Sequence, residues 1–220
     1  MLIAVPLSDK NFEENLRICK EKNADLIELR IDLFENKDPS FVVECLQKVK
    51  DLGLGSILTV RSEKEGGSRV ENRIEIFKKA SPYSDYTDIE LSSEDLLSEV
   101  RDIVKVSGKR LIISYHNFEF TPPNWILREI YRSAKRWGAD LVKIASMARS
   151  YEDVARLLCL GKEEKGQKIL IAMGEYGKAS RVLGFIFGSF ITYSYIGSAV
   201  APGQIKLEEM VRLRALIFSP

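Results

Sequence analysis

The chain has 220 residues, 45% hydrophobic and 30% charged, with 33 basic and 32 acidic side chains and one histidine. This length buries one large core or two small ones, and the nearly cancelled charge excludes the global positive field of a nucleic-acid binder. No apolar run reaches a membrane span, because the stretch 185–196 is broken by Gly188 and by hydroxyl residues.

Residues 1–8 are apolar but lack the basic lead and the length of a signal segment, so they read as a first strand. From there short apolar runs alternate with amphipathic ones. Strand 2–6 precedes helix 11–22, strand 26–31 precedes helix 40–51, and strand 55–60 precedes helix 69–80. Strand 86–91 then precedes helix 93–105, and strand 110–115 precedes helix 123–137. The last three pairs are strand 140–145 with helix 150–161, strand 168–173 with helix 179–187, and strand 190–195 with helix 206–216. Start signals accompany several helices: Ser40 after Pro39, Ser92 or Ser93 with acids following, and Pro122-Pro123 before Trp125. Gly108, Gly138 and Gly166 read as stops.

Eight βα units in this length fit either a closed (β/α)8 barrel or an open doubly wound sheet. No Gly-x-Gly-x-x-Gly follows the first strand and no phosphate-cradle motif occurs elsewhere. The expectation is therefore an α/β fold, a (β/α)8 TIM barrel, with residues 1–220 forming one domain. Cys19, Cys45 and Cys159 are widely separated, show no metal-ligand spacing, and read as buried thiols of a protein in the reducing cytoplasm.

Chemistry in such a barrel collects at the carboxyl ends of the strands. Lys143 lies inside the apolar run Ala139-Asp-Leu-Val-Lys143-Ile-Ala-Ser146, where an unpaired ammonium is costly. Burial lowers a lysine's pKa, and a neutral amine attacks ketones and aldehydes to form imines. The ordinary alternative is a strand-end lysine whose head reaches water along its stem. The other strand ends present Glu28 and Arg30, two apart and so on one face, then Arg61, Glu90, His116 and Met173. His116 is the only histidine and the natural proton shuttle. An acid at Glu90, an imidazole at His116 and an amine at Lys143, on successive strands, supply an orienter, a base and a nucleophile. Further on, Arg181 follows the loop Met173-Gly-Glu-Tyr-Gly177-Lys-Ala-Ser180, and its planar fork suits a carboxylate. Gln204, in Ser198-Ala-Val-Ala-Pro202-Gly-Gln204, suits a polyol. Both loops also fit ordinary βα turn chemistry.

Together these pieces resemble the type I 3-dehydroquinate dehydratases of the shikimate pathway. The resemblance runs through Glu28-Leu-Arg30-Ile-Asp32, Thr59-Val-Arg61-Ser-Glu-Lys-Glu-Gly-Gly67, Asp88-Ile-Glu90-Leu91, Ser114-Tyr-His116-Asn-Phe118, Val142-Lys143-Ile-Ala145, Met173-Gly174 through Ser180-Arg181, and Ala201-Pro-Gly-Gln204. It implies a homodimeric (β/α)8 barrel that converts 3-dehydroquinate to 3-dehydroshikimate by syn elimination without metal or organic cofactor, beside the charge balance and apolar runs that already argue against nucleic acid and membrane as partners. Lys143 would form the imine at C3, His116 would move the protons, and Glu90 would orient His116. Arg181 would bind the ring carboxylate, Glu28, Arg30 and Arg61 the ring hydroxyls, Met173 would pack on the ring, and Gln204 would close the mouth. One departure is Val200, where the family often has a serine whose hydroxyl contacts substrate; the nearby Ser198 is a candidate replacement. The loops at 63–68 and 198–204 are expected to close over substrate. Two rivals stand beside this reading. One is a Schiff-base aldolase, whose barrels commonly grip a phosphate. The other is a non-catalytic small-molecule-binding barrel in which Glu28, Arg30, Arg61 and Glu90 form an internal ion-pair network.

Overall fold

The computed structural model describes residues 1–199 and 201–218. Its elements run β1 (Leu2–Leu7), α1 (Phe12–Glu21), β2 (Leu26–Arg30), α2 (Pro39–Asp51), β3 (Gly55–Thr59), α3 (Arg73–Ala80), β4 (Tyr86–Glu90) and α4 (Glu94–Val106). They continue with β5 (Arg110–Asn117), α5 (Asn124–Arg136), β6 (Leu141–Met147), α6 (Tyr151–Glu163), β7 (Lys168–Met173), α7 (Lys178–Leu183), β8 (Ile191–Tyr195), β9 (Ile205–Lys206) and α8 (Leu207–Phe218). Every strand pairs in parallel, in the order β7-β6-β5-β4-β3-β2-β1-β8-β9. A parallel bridge from Lys168 to Ser189 closes the ring, and the Phe190 amide donates to the Lys168 carbonyl at 2.7 Å. The fold is a (β/α)8 barrel.

Strand alternation divides the core into two shells. Val142 and Ile144 of β6 face the helices, in the apolar layer that also holds Leu127 and Leu157 of α5 and α6. Leu141 and Ala145 face the barrel interior with Ile57, Tyr86, Ile112, Ile169 and Ile191. Lys143 lies between Leu141 and Ala145 and therefore points inward. Among the described residues no helix is long and apolar enough to cross a membrane.

Local chemistry accounts for the helix starts. Asp38, rather than the expected Ser40, caps α2 by accepting from the Ser40 and Phe41 amides at 2.8 and 3.2 Å, with Pro39 in the first turn. Ser150 caps α6 through the Asp153 amide. Ser93 stands at the start of α4, but its hydroxyl donates to Glu90 at 2.8 Å instead of capping. The third helix begins at Arg73, not at 69, because Asn72 takes a left-handed conformation that stops the helix from extending backward. The seventh is shorter than expected, passing at Gly184 into a 3-10 turn. Cys19 and Cys45 are buried as expected, whereas Cys159, on α6, is exposed.

Candidate active site

Lys143 sits at mid-height inside the barrel, buried, in register with Ser114 of β5. Its Nζ donates to Asp88 Oδ2 at 3.0 Å, to the Tyr193 hydroxyl at 3.1 Å and to Glu28 Oε1 at 3.4 Å. Asp88 also accepts, on Oδ1, from Arg61 Nη2 at 3.0 Å and from the Ser114 hydroxyl at 2.7 Å. Glu28 accepts from the Thr59 hydroxyl at 2.9 Å. Burial and these partners pull the Lys143 pKa in opposite directions. Burial pulls the pKa down, but Asp88 and Glu28 outweigh it and carry the ammonium above the ordinary lysine range. The resting side chain is a paired cation. Asp88, despite complete burial, is held below its ordinary value by Arg61 and Lys143.

One turn of the pleat above Lys143, on the neighbouring strand, stands His116. Its Nδ1 lies 2.8 Å from Glu65 Oε2, and its backbone amide donates to the same oxygen at 2.9 Å. When Glu65 is ionised this oxygen can only accept, which places the ring proton on Nδ1 and leaves Nε2 its lone pair. Burial, Arg61 and Lys143 hold the imidazole pKa well below its ordinary value, leaving the ring neutral. Glu65 reaches it from a tight turn after β3, where the Ser62 hydroxyl caps Lys64 and the Gly67 amide bonds the Ser62 carbonyl. Burial pushes the Glu65 carboxyl up to about 7, against the pull of the Ser92 hydroxyl bond and Arg61.

Glu90, expected to orient His116, does not touch it. Oε1 accepts from Arg61 Nη1 at 2.9 Å and from the Ser62 amide at 2.8 Å; Oε2 accepts from Arg73 Nη2 at 2.6 Å and from Ser93. Two arginines converge on this carboxylate from the third βα loop and α3, leaving no lone pair directed at the imidazole. Glu90 instead anchors Ser62, the root of the turn that delivers Glu65.

At the mouth, Arg181 projects from α7, is 2% exposed, and donates from Nη2 to the Pro202 carbonyl at 2.9 Å. It makes no ion pair among the described residues, its Nε has no partner, and burial lowers its pKa to about 10. A buried, uncompensated guanidinium is a receptor for an anion. Arg30 is already held in a bidentate pair with Asp32 at 2.7 and 2.8 Å. The final loop docks on the preceding one: Gly203 packs on the Gly174 backbone, and the Gly174 amide donates to the Pro202 carbonyl. Gln204 Oε1 accepts from the Ala201 amide. Val200 lies outside the described residues, and Ser198 is exposed and off the cavity wall.

One cavity of about 650 Å³, open to solvent, joins these groups. Lys143, His116, Glu28, Arg30, Arg61, Met173, Arg181 and Gln204 line it; Glu90 does not. Glu65 and Tyr193 are on its wall and were missed by sequence reasoning. For Glu65 the available signal was an acid directly before a glycine pair, which suits a turn folding back over a strand end. For Tyr193 it was the period of two along β8, which places 191 and 193 inside.

The arrangement offers a buried amine, a neutral imidazole above it and an unpaired guanidinium, the set needed for imine chemistry on a carboxylated carbonyl compound. A family model described as type I 3-dehydroquinase matches residues 3–219. The 3-dehydroquinate dehydratase of Aquifex aeolicus (strain VF5) is 59% identical over 214 residues, covering 97% of each chain, and its crystal structure superposes with a TM-score of 0.95 over 99% of each. The 3-dehydroquinate dehydratase of Hydrogenobaculum sp. (strain Y04AAS1) is 55% identical over 99% of both chains. The type I 3-dehydroquinate dehydratase of Clostridium difficile, crystallised with covalent modified comenic acid, is 30% identical with a TM-score of 0.90, covering 98% of this chain and 92% of that one. A match that runs the length of the barrel sets the aldolase and binding-barrel readings aside: the chain belongs to the type I 3-dehydroquinase family.

Proposed function

We propose that the protein dehydrates 3-dehydroquinate to 3-dehydroshikimate through an imine on Lys143. The observation that carries this reading is the single cavity in which Lys143 Nζ, the His116 ring and the unpaired Arg181 guanidinium meet. Family membership supports the substrate, and the covalently held ligand of the Clostridium difficile relative supports a site that bonds its ligands.

Arg181 would take the ring carboxylate and Glu28 and Arg30 the ring hydroxyls, with Met173 against the ring and Gln204 at the mouth. Arg61, tied to Asp88, Glu90 and Ser114, would supply fixed positive charge beside the hydroxyls. Once Nζ has lost its proton it adds to the C3 carbonyl, and loss of water gives the protonated imine. That cation acidifies the C2 proton by accepting its electron pair. His116 Nε2 removes the proton while Glu65, bonded to Nδ1, stabilises the imidazolium. The imidazolium then protonates the departing C1 hydroxyl on the same face, which is a syn elimination. A homodimer in the cytoplasm accompanies this reading.

The test is borohydride reduction with 3-dehydroquinate present, read by intact mass and peptide mapping. A covalent adduct on Lys143 is expected, absent without ligand and absent in Lys143→Ala, which should lose turnover while still binding substrate. Turnover retained by Lys143→Ala would sink the imine route.

A further inference from the structure

The imine route requires that the Lys143 ammonium lose a proton before it attacks, and any acceptor assigned to that proton rests on the imine reading of the site. Among the described residues three groups accept hydrogen bonds from Nζ. Asp88 is the nearest, but Arg61 and Ser114 occupy its other oxygen and two cations hold it as a carboxylate, so it is a poor proton acceptor. Glu28 has no such clamp, its hydrogen-bond donors being Thr59, Tyr193 and Lys143 itself, yet it stands furthest from Nζ, at 3.4 Å. Between them is the Tyr193 hydroxyl, 3.1 Å from Nζ and 3.4 Å from Glu28 Oε1. The lysine head also lies 4.5 Å from the Tyr193 ring centroid.

We propose that Tyr193 is a catalytic residue that carries the proton from Lys143 to Glu28. The N–H bond of the ammonium breaks as the phenol oxygen takes that proton, and the phenol O–H bond breaks as Glu28 Oε1 takes its own. One ammonium and one carboxylate become one amine and one carboxylic acid, and the phenol ends as it began. Burial and the Glu28 carboxylate raise the phenol above its ordinary range, so it passes protons without storing the charge. The ordinary role for a buried tyrosine hydroxyl is to satisfy a neighbour's donor. That role predicts a loss of stability in Tyr193→Phe and an unchanged rate of imine formation.

The experiment mixes 3-dehydroquinate at saturation with the protein, ages the mixture through the first turnover and quenches with borohydride. Tyr193→Phe is expected to reach the same final Lys143 adduct and to bind the non-ketonic analogue quinate equally well, but to form the adduct slower by on the order of 10²-fold. Adduct formation at the unsubstituted rate would overturn the proposal. Should the variant fold poorly, the unaltered protein still decides: two protons in flight bow the plot of adduct-formation rate against deuterium fraction, and a straight line overturns the relay. If the unaltered protein forms no adduct while it turns over, the imine reading itself falls; if it does and Tyr193→Phe matches it, only the relay falls.

Discussion

At the scale of single residues, the site turns on how one carboxylate is shared. His116 is neutral at rest, so its usefulness as a base depends on which nitrogen bears the proton, and Glu65 decides that by accepting from Nδ1. The Glu65 carboxyl titrates at about 7, raised by burial from 4.5. Above that pH it is a carboxylate that holds the tautomer and stabilises the imidazolium; below it the hold is lost. Dehydration should therefore fall as pH drops through about 7. Stability runs the other way: a raised folded pKa gives a contribution present below 4.5 and lost as pH rises through about 7. Glu65→Gln is expected to melt higher than the unsubstituted protein at pH 8, to turn over slower by roughly 10²-fold, and to lose the acid limb. A pH–rate profile and melts at pH 8 check this; an acid limb that survives the substitution would move it to another group. The sequence pointed to Glu90 instead, because it stands on the strand beside His116. What strand order cannot convey is that Arg61 and Arg73 both converge on Glu90, or that a residue 51 positions away in sequence closes over the imidazole.

At the scale of elements, strands were more legible than the segments between them. A period of two in Leu141, Lys143 and Ala145 follows from the pleat and needs no knowledge of neighbours, so the inward lysine could be read directly. Helix ends depended on local competition: Ser93 looked like a cap and bonds Glu90, and Asn72 cut four residues from α3. The turn 62–67 was the least legible, because its shape is set by its floor. Gly67 lies so close to Arg61 that a Cβ would collide with the Arg61 carbonyl, and Gly66, at φ 81°, packs against the Phe118 ring. Gly67→Ala should push the turn off the barrel and draw Glu65 away from His116. The expected cost is about 1–3 kcal/mol of stability, as for an overpacked site, with turnover falling while the Lys143 adduct still forms. Equal losses of adduct and turnover would place the turn's role in imine formation instead.

At the scale of the whole molecule, the barrel keeps an apolar layer below and a charged layer above. Eight recurrent units, with no Gly-x-Gly-x-x-Gly after the first to favour an open doubly wound sheet, made the barrel legible. The charged layer is where that economy is strained. Arg61, Asp88, Glu90 and Lys143 are buried together, and such networks add little over apolar packing yet fail badly when one member is removed. Asp88 is the hinge of this layer because, among the described residues, it alone bonds both Arg61 and Lys143. Its pKa is depressed, as is that of Glu90, so each contributes stability that is present above its unfolded value and lost as pH falls through the folded one. The melting temperature should accordingly drop steeply below about pH 4, near unperturbed carboxylate values. Asp88→Asn would leave two buried cations short of an anion. It should cost about 3–5 kcal/mol at pH 7, and its melting temperature should depend less on acid. The same change removes the main force holding the proton on Lys143, so the adduct that survives should form at lower pH than in the unsubstituted protein. Urea melts at pH 7 and pH 3, read beside borohydride trapping across that range, separate the two effects. A variant that is destabilised but traps with an unshifted pH profile would mean that Glu28, and not Asp88, sets the charge on the lysine.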